Sequence, residues 1–255
     1  MQPSQDQSVA VVAGGTSGIG RATVLRLHRA GFRVAYFGVS FEHLRETQEA
    51  LEASDDSYGR LVDVCDPARI SAFFDSTAER FGAISALVYA TAISPKTDGR
   101  RVPVHSVAQD EWLDVLSVNL TGALHCCQSA LPGMMARKYG RIVMIGSIAA
   151  RAAPRFAGAS YVASKAGLAG LTRALATEYA ADGITANTVS PGNVATAMTG
   201  DIDSPQNQEA AKHIPAGRVG LPEDLTGLIA FLCSPEAAYI NGATIDVTGA
   251  EFVAP

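Results

Sequence analysis

The chain has 255 residues, 47% hydrophobic and 18% charged, with 24 glycines and 12 prolines. These proportions exclude disorder, collagen and coiled coil as whole-chain descriptions and leave a packed chain of one or at most two domains. A balance of 20 Lys plus Arg against 25 Asp plus Glu, net −5, with the basic residues scattered, gives no electrostatic footprint for nucleic acid or an anionic membrane.

In chain order, an apolar strand at Val9–Ala13 leads through a glycine-rich turn to a helix at Gly20–Ala30. Strand Arg33–Phe37, helix Phe41–Ala53, strand Gly59–Val62, helix Pro67–Phe81 and strand Ala86–Tyr89 follow. A long helix is expected over Ala108–Arg137, then strand Arg141–Ile145, helix Ser160–Ala181, strand Thr185–Val189, helix Pro222–Cys233 and strand Thr244–Val247. Gly31, Gly82, Gly140 and Gly183 stop helices. Short apolar strands alternating with helices predict a single-domain α/β fold, a Rossmann-type doubly wound parallel sheet of about seven strands with helices on both faces. No linker composition or repeat divides residues 8–255, so they are expected to form one domain, with 1–7 a flexible tail and 197–215 a substrate lid. The first ten residues carry no export signal and no apolar run reaches membrane length, which implies a cytoplasmic protein. Cys65, Cys126, Cys127 and Cys233 form no C-x-x-C pair and are expected to be buried small hydrophobes.

The turn after the first strand reads Gly14-Gly15-Thr16-Ser17-Gly18-Ile19-Gly20. Such a turn lets backbone N–H groups approach a pyrophosphate at the positive end of the following helix. Its spacing, G-x-x-x-G-x-G, is one residue longer in the first gap than the usual dinucleotide fingerprint, and no lysine follows a glycine, which excludes a P-loop. Later, Tyr161 and Lys165 stand at i and i+4, about 6 Å apart on one helix face. Ser147 closes the apolar strand Ile142–Gly146 at the edge where α/β sheets bind ligands. Asn119 lies inside a helical run, where asparagine calls for a functional or kinking explanation. No G-x-S-x-G elbow supports a hydrolase, and the five histidines show no metal-ligand spacing, so no metal is expected.

Taken together, Gly14 with Gly18-Ile19-Gly20, Asp63-Val64, Asn119, Ser147, Tyr161-x-x-x-Lys165 and Pro191-Gly192 with Thr196 resemble the short-chain dehydrogenase/reductase family over residues 8–252. The resemblance implies hydride transfer between a nicotinamide and a ketone or secondary alcohol. In this family the equivalents of Ser147 and Tyr161 hydrogen-bond the substrate oxygen, that of Lys165 holds the nicotinamide ribose, and that of Asn119 anchors a water leading to the lysine. It also implies cofactor contacts at Gly14, Thr16, Ser17, Gly18, Ile19, Gly20, Ser40, Asp63, Val64, Ala90, Tyr161, Lys165, Pro191, Gly192, Val194 and Thr196. Chemistry agrees: reducing a ketone needs a proton for the developing alkoxide, and Tyr161 is a hydroxyl donor able to supply it. Lowering a phenol from ~10 to neutrality takes roughly 4 kcal/mol, about what a cation ~4 Å away contributes at an effective dielectric of ~20. Lys165 alone is therefore expected nearly to suffice.

Two departures stand out: Ala13 replaces the usual Thr before the first glycine, and Tyr89-Ala90-Thr91-Ala92 stands where relatives read Asn-Asn-Ala-Gly. Gly38 occupies the end of the second strand, where NAD-selective sites carry an acid, so NADP(H) is favoured and NAD(H) is the alternative. Ser40 is expected to donate to the 2′-phosphate, with Arg21, His43 and Arg45 as candidate cations. Ile148, Ala149, Phe156, Asn193, Met198 and Trp112 are candidate substrate contacts for a small carbonyl or alcohol. The 3-oxoacyl-carrier-protein reductases, which dock an acidic carrier through basic residues near two helix ends, give an alternative; Arg137 and Lys138 fit one place, and Asp182 puts the wrong sign at the other. A non-catalytic nucleotide sensor is the alternative of another class. Small residues on the two long helices, among them Gly122, Ala123 and Gly167, together with the habit of relatives, predict a homotetramer.

Overall fold

A computed structural model describes residues 8–96, 100–152 and 156–253; the expected tail 1–7 lies outside them. Strand β1 (Val9–Ala13) is buried along its whole length and alternates between two cores. Val9, Val11 and Ala13 face one, and Ala10 and Val12 the other, the two-residue period of a strand covered on both faces. Around it lie β2 (Arg33–Gly38), β3 (Ser57–Leu61), β4 (Ile84–Tyr89), β5 (Gly140–Ile145), β6 (Ile184–Pro191) and β7 (Thr244–Val247). All pairs are parallel, in the order β3-β2-β1-β4-β5-β6-β7. The order reverses between β1 and β4, which opens a crevice at the carboxyl ends of the strands.

Helices α1 (Gly18–Arg29), α2 (Phe41–Ala50) and α8 (Glu223–Leu232) cover one face through Val24, Leu27, Leu44, Leu225 and Ile229. Helices α3 (Pro67–Phe81), α5 (Gly122–Arg137) and α6 (Ala159–Glu178) cover the other through Ile70, Phe73, Cys126, Met134, Leu168 and Leu175. Between β6 and β7, the segment carrying α7 (Pro205–Ala211) builds a small core of its own from Ala210, Ile214 and Val219. This short helix starts at Ser204, whose hydroxyl accepts the Asn207 N–H at 3.3 Å, with Pro205 behind it.

The predicted bounds of β1, α3 and β7 coincide with the observed ones. Helix α2 stops at Ala50, three residues short of the expected end, because Glu52 and Ala53 both adopt φ near 52°. The single helix expected over Ala108–Arg137 is α4 (Gln109–Leu116), a π turn at Ser117–Thr121, and α5. The Val118 carbonyl in this turn accepts a hydrogen bond from the Tyr89 hydroxyl, so the phenol at the end of β4 ties the central strand to the α4–α5 junction. Gly122 is required beside it, since a Cβ there would lie 2.6 Å from the Tyr89 oxygen and 2.8 Å from the Val64 Cβ. Gly122, and Gly167 against Leu120, are packed closely within the subunit. Cys65 is exposed rather than buried, because it follows β3 in a turn where the Asp63 carboxylate accepts its N–H at 2.9 Å; the other three cysteines are buried.

Candidate active site

The glycine turn is built from the inside. A Cβ at Gly20 would overlap the Gly14 carbonyl oxygen, so only glycine lets α1 approach the end of β1 this closely. Helix α1 begins at Ser17 with no side-chain cap and no acid in its first turn. Its first N–H groups and positive end are therefore left for an anion. From there a groove of about 180 Å³ runs past Ser17, Gly18 and Ile19, then Ala90 and Ala92, then Pro191, Gly192, Val194 and Thr196, to Tyr161 and Lys165. An anion-binding helix start joined by an open groove to the Tyr–Lys pair fits a nicotinamide dinucleotide.

Several residues assigned to the cofactor by resemblance have structural roles as well. Gly14 and Gly20 close the turn. Val64 is a core residue, 4% exposed, and Asp63 holds the Cys65 turn. Ser40 caps α2, its hydroxyl accepting the His43 N–H at 3.3 Å. Thr16 is buried against Gly38, where a Cβ would overlap Thr16 Oγ1 and lie 3.2 Å from Thr16 Cβ. The candidate phosphate cations are engaged: Arg21 pairs with Glu46 at 3.3 Å and Arg45 with Glu49 at 3.7 Å.

At the far end of the groove, Ser147 follows β5 in extended conformation, and its oxygen accepts the Ala149 N–H at 3.1 Å. The Tyr161 phenol hydrogen-bonds Ser147, so the two hydroxyls lie together. One turn on, the Lys165 ammonium donates to the Ile145 carbonyl at 2.8 Å and lies 5.7 Å from the centre of the Tyr161 ring. Asn119 does not turn its side chain to Lys165. Its Oδ1 accepts the Ile93 N–H at 2.8 Å, and its Nδ2 donates to the Ile93 carbonyl and to Ser164 Oγ, both at 3.0 Å. Ser164 in turn donates to the Tyr161 carbonyl at 2.7 Å. Asn119 is therefore a positioning residue that fastens the loop after β4 to the helix carrying the tyrosine.

Burial pushes the Tyr161 phenol up, against the lowering effect of its bond to Ser147. Burial also brings Lys165 down from 10.5 to about 7. Burial of both groups works against the lowering of the phenol that the sequence leads one to expect from Lys165. The lysine is desolvated too, and near neutral pH it carries its charge only part of the time. A protonated Tyr161 is the form that can give a proton to a carbonyl oxygen.

Beyond Tyr161 opens a second cavity of about 220 Å³. Ser147, Ile148, Ala149, Phe156, Asn193 and Met198 line it, whereas Trp112 on α4 does not. Lys96, His213 and Glu251 also line it. Lys96 and His213 lie in segments whose length suggests substrate-lining loops, His213 within the expected lid 197–215, whereas no motif pointed to Glu251, because nothing local to a sequence tells where the segments after β4, α7 and β7 converge.

Residues 13–249 match a family profile described as enoyl-(acyl carrier protein) reductase. The chain is 34% identical to 3-oxoacyl-[acyl-carrier-protein] reductase of Vibrio cholerae over 245 residues, 96% of this chain and 97% of that protein. A single-substitution variant of actinorhodin polyketide ketoreductase solved with NADPH superposes with a TM-score of 0.87 at 33% identity, covering 97% of this chain and 98% of that one. A 3-oxoacyl-[acyl-carrier protein] reductase with bound NAD from Brucella melitensis gives 0.88 at 29% identity, covering 97% and 92%.

Proposed function

The chain belongs to the short-chain dehydrogenase/reductase family and is a nicotinamide-dependent oxidoreductase of ketones and secondary alcohols; from this we propose that its substrates are free carbonyl compounds and that NADP(H) is the favoured cofactor. The observation that carries the chemistry is the Ser147–Tyr161 hydroxyl pair at the junction of the groove and the second cavity. The bound nicotinamide supplies or accepts the hydride. Tyr161 donates the proton to the carbonyl oxygen, Ser147 hydrogen-bonds the same oxygen, and Asn119 through Ser164 holds the helix segment that carries Tyr161.

Free substrates are favoured over carrier-bound ones because Lys138, one of two candidate carrier contacts, is ion-paired to Asp182. A positive patch for an acidic carrier is thereby cancelled where it would be needed. The test compares β-ketoacyl thioesters on an acyl carrier protein and on a small thiol, beside cyclic ketones and polyols. A kcat/KM for carrier-bound substrate well above that of every free compound overturns this reading. Nucleotide binding without turnover across the panel marks a sensor instead.

Cofactor choice is governed by Thr16 and Gly38 together. With Thr16 packed on Gly38 there is no room for an acid at the end of β2, and without one nothing repels a 2′-phosphate. Gly38→Asp alone is expected to weaken both NADPH and NADH, because the new side chain displaces Thr16. Thr16→Ala with Gly38→Asp is expected to restore NADH and to exclude NADPH by roughly 1–3 kcal/mol of like-charge repulsion. Nucleotide fluorescence titration reads both constants; a clean NADH switch in the single variant refutes the steric coupling. For assembly, Trp112, Leu113, Leu124 and Met135 expose apolar surface on α4 and α5, which supports self-association, read as the homotetramer that the resemblance implies; light scattering measures that state.

A further inference from the structure

After β7 the chain turns sharply back over the second cavity. Gly249 and Ala250 both take left-handed backbone conformations, φ 60° and 67°. Ala250 carries a Cβ and is penalised there, so the turn persists only because its surroundings impose it. The restraints are visible on both sides. The Gly192 N–H donates to the Val247 carbonyl at 3.1 Å, and the Glu251 N–H donates to the Thr248 carbonyl at 3.1 Å. The Thr248 hydroxyl donates to the Phe252 carbonyl at 3.1 Å. Arg151 pairs with Asp246 and lies 5.2 Å from the centre of the Phe252 ring.

What the turn delivers is the Glu251 carboxylate. One oxygen accepts the Asn193 N–H at 2.8 Å, and the other accepts Asn193 Nδ2 at 2.7 Å. A Cβ at Gly192 would lie 2.5 Å from Oε2, so glycine is needed for this approach. The two bonds orient the carboxylate but use only part of its acceptor capacity, since two oxygens offer about four lone-pair sites. No cation pairs with Glu251 among the described residues, and the residue lines the same cavity as Ser147 and Tyr161. Lys96, the ammonium in that cavity, follows β4, three strands from β7 in the sheet order.

We propose that Glu251 determines substrate specificity, selecting carbonyl compounds that carry a hydrogen-bond donor, a hydroxyl or an ammonium, on the part of the molecule that reaches the end of β7. The proposal rests on the oxidoreductase reading above. It adds to that reading a second fixed point: the carbonyl oxygen at Tyr161 and Ser147, and the donor at Glu251. An unsubstituted acyl chain would desolvate the carboxylate while leaving the lone pairs that Asn193 does not use unpaired, a penalty that works against such substrates.

The test uses one cyclic ketone and its hydroxy, ammonium and carboxylate ring derivatives, on the wild type and Glu251→Gln, with NADPH present. The amide keeps the size and one acceptor for Asn193 while removing the charge. The wild type is expected to show a KM for the ammonium ketone about tenfold below that of the unsubstituted one, as a charge-assisted bond provides, with the hydroxy derivative between. In Glu251→Gln the ammonium preference is expected to collapse to about twofold or less. If Glu251 serves only to latch the C-terminal segment, all KM values shift together and the ratio survives, which overturns the proposal. Equal KM values across the series in the wild type, or a preference for the carboxylate derivative governed by Lys96, overturn it as well. Thermal-shift titration of each ketone in the presence of NADPH gives the same ratio from binding alone. Failure of the oxidoreductase reading, seen as no turnover, is thereby told apart from failure of this one.

Discussion

Tyr161→Phe is expected to fold, to bind nucleotide and to lose turnover by a factor of about 10²–10⁴, the usual contribution of a positioned general acid. The ring keeps its packing. The lost hydroxyl takes with it the bond to Ser147, worth about 0.5–1.5 kcal/mol. Chemistry is hit far harder than stability because only the hydroxyl can give a proton to the carbonyl oxygen. Single-turnover kinetics with a reducible ketone, beside a thermal melt of the same preparation, separate the two. Retention of more than about a tenth of wild-type turnover would move the proton donor elsewhere.

Lys165→Met is expected to raise the melting temperature of the nucleotide-free protein while abolishing activity. A lysine at 10.5 in the unfolded chain and about 7 in the folded one has its folded value depressed. Between about pH 7 and 10.5 the unfolded chain binds a proton that the folded chain does not, so stability rises with pH across that window and is lost as pH falls toward 7. Below it, burying the ammonium costs on the order of 4–5 kcal/mol. Removing the lysine also removes the bond to the Ile145 carbonyl, worth about 1–2 kcal/mol. The net gain near pH 6 is about 2–4 kcal/mol, or roughly 4–16 °C for a chain of this size. Melts at pH 6 and pH 10 check the sign: the variant's advantage should shrink at the higher pH. A variant less stable than wild type at pH 6 would show that Lys165 is better solvated than its 2% exposure implies.

The fold was legible because its signals are local and periodic. Strand β1 and helix α3 could be bounded from the pattern, the latter because Asp66 caps its start at 3.0 Å to Arg69, Pro67 opens it and Gly82 ends it. The groove was legible because many of its residues sit just past the carboxyl end of a strand or in the first turns of a helix. What stayed hidden depends on pairs far apart in sequence. Asn119 betrays itself as an unlikely helix former, but its partners Ile93 and Ser164 are 26 and 45 residues away. Gly38 reads as a missing acid until Thr16 is found against it. Tyr89 reads as the loss of an asparagine, whereas its hydroxyl reaches the π turn and supplies a tie of its own. Glu251 carries no signal at all, since a lone glutamate near a chain end is ordinary.

The clasp of Asn119 on Ile93 has a consequence for how such a site can diversify. The amide meets both the N–H and the carbonyl of one residue, as a neighbouring strand would, and so supplies a rung of ladder with a side chain. One wall of the second cavity, the segment after β4, is thereby bolted to the helix that carries Tyr161. The opposite wall, around α7, rests on a miniature core that neither sheet face shares. Mutations that reshape that module can change what the cavity admits while the proton donor and its scaffold stay put. New specificities can arise there without rebuilding the reaction.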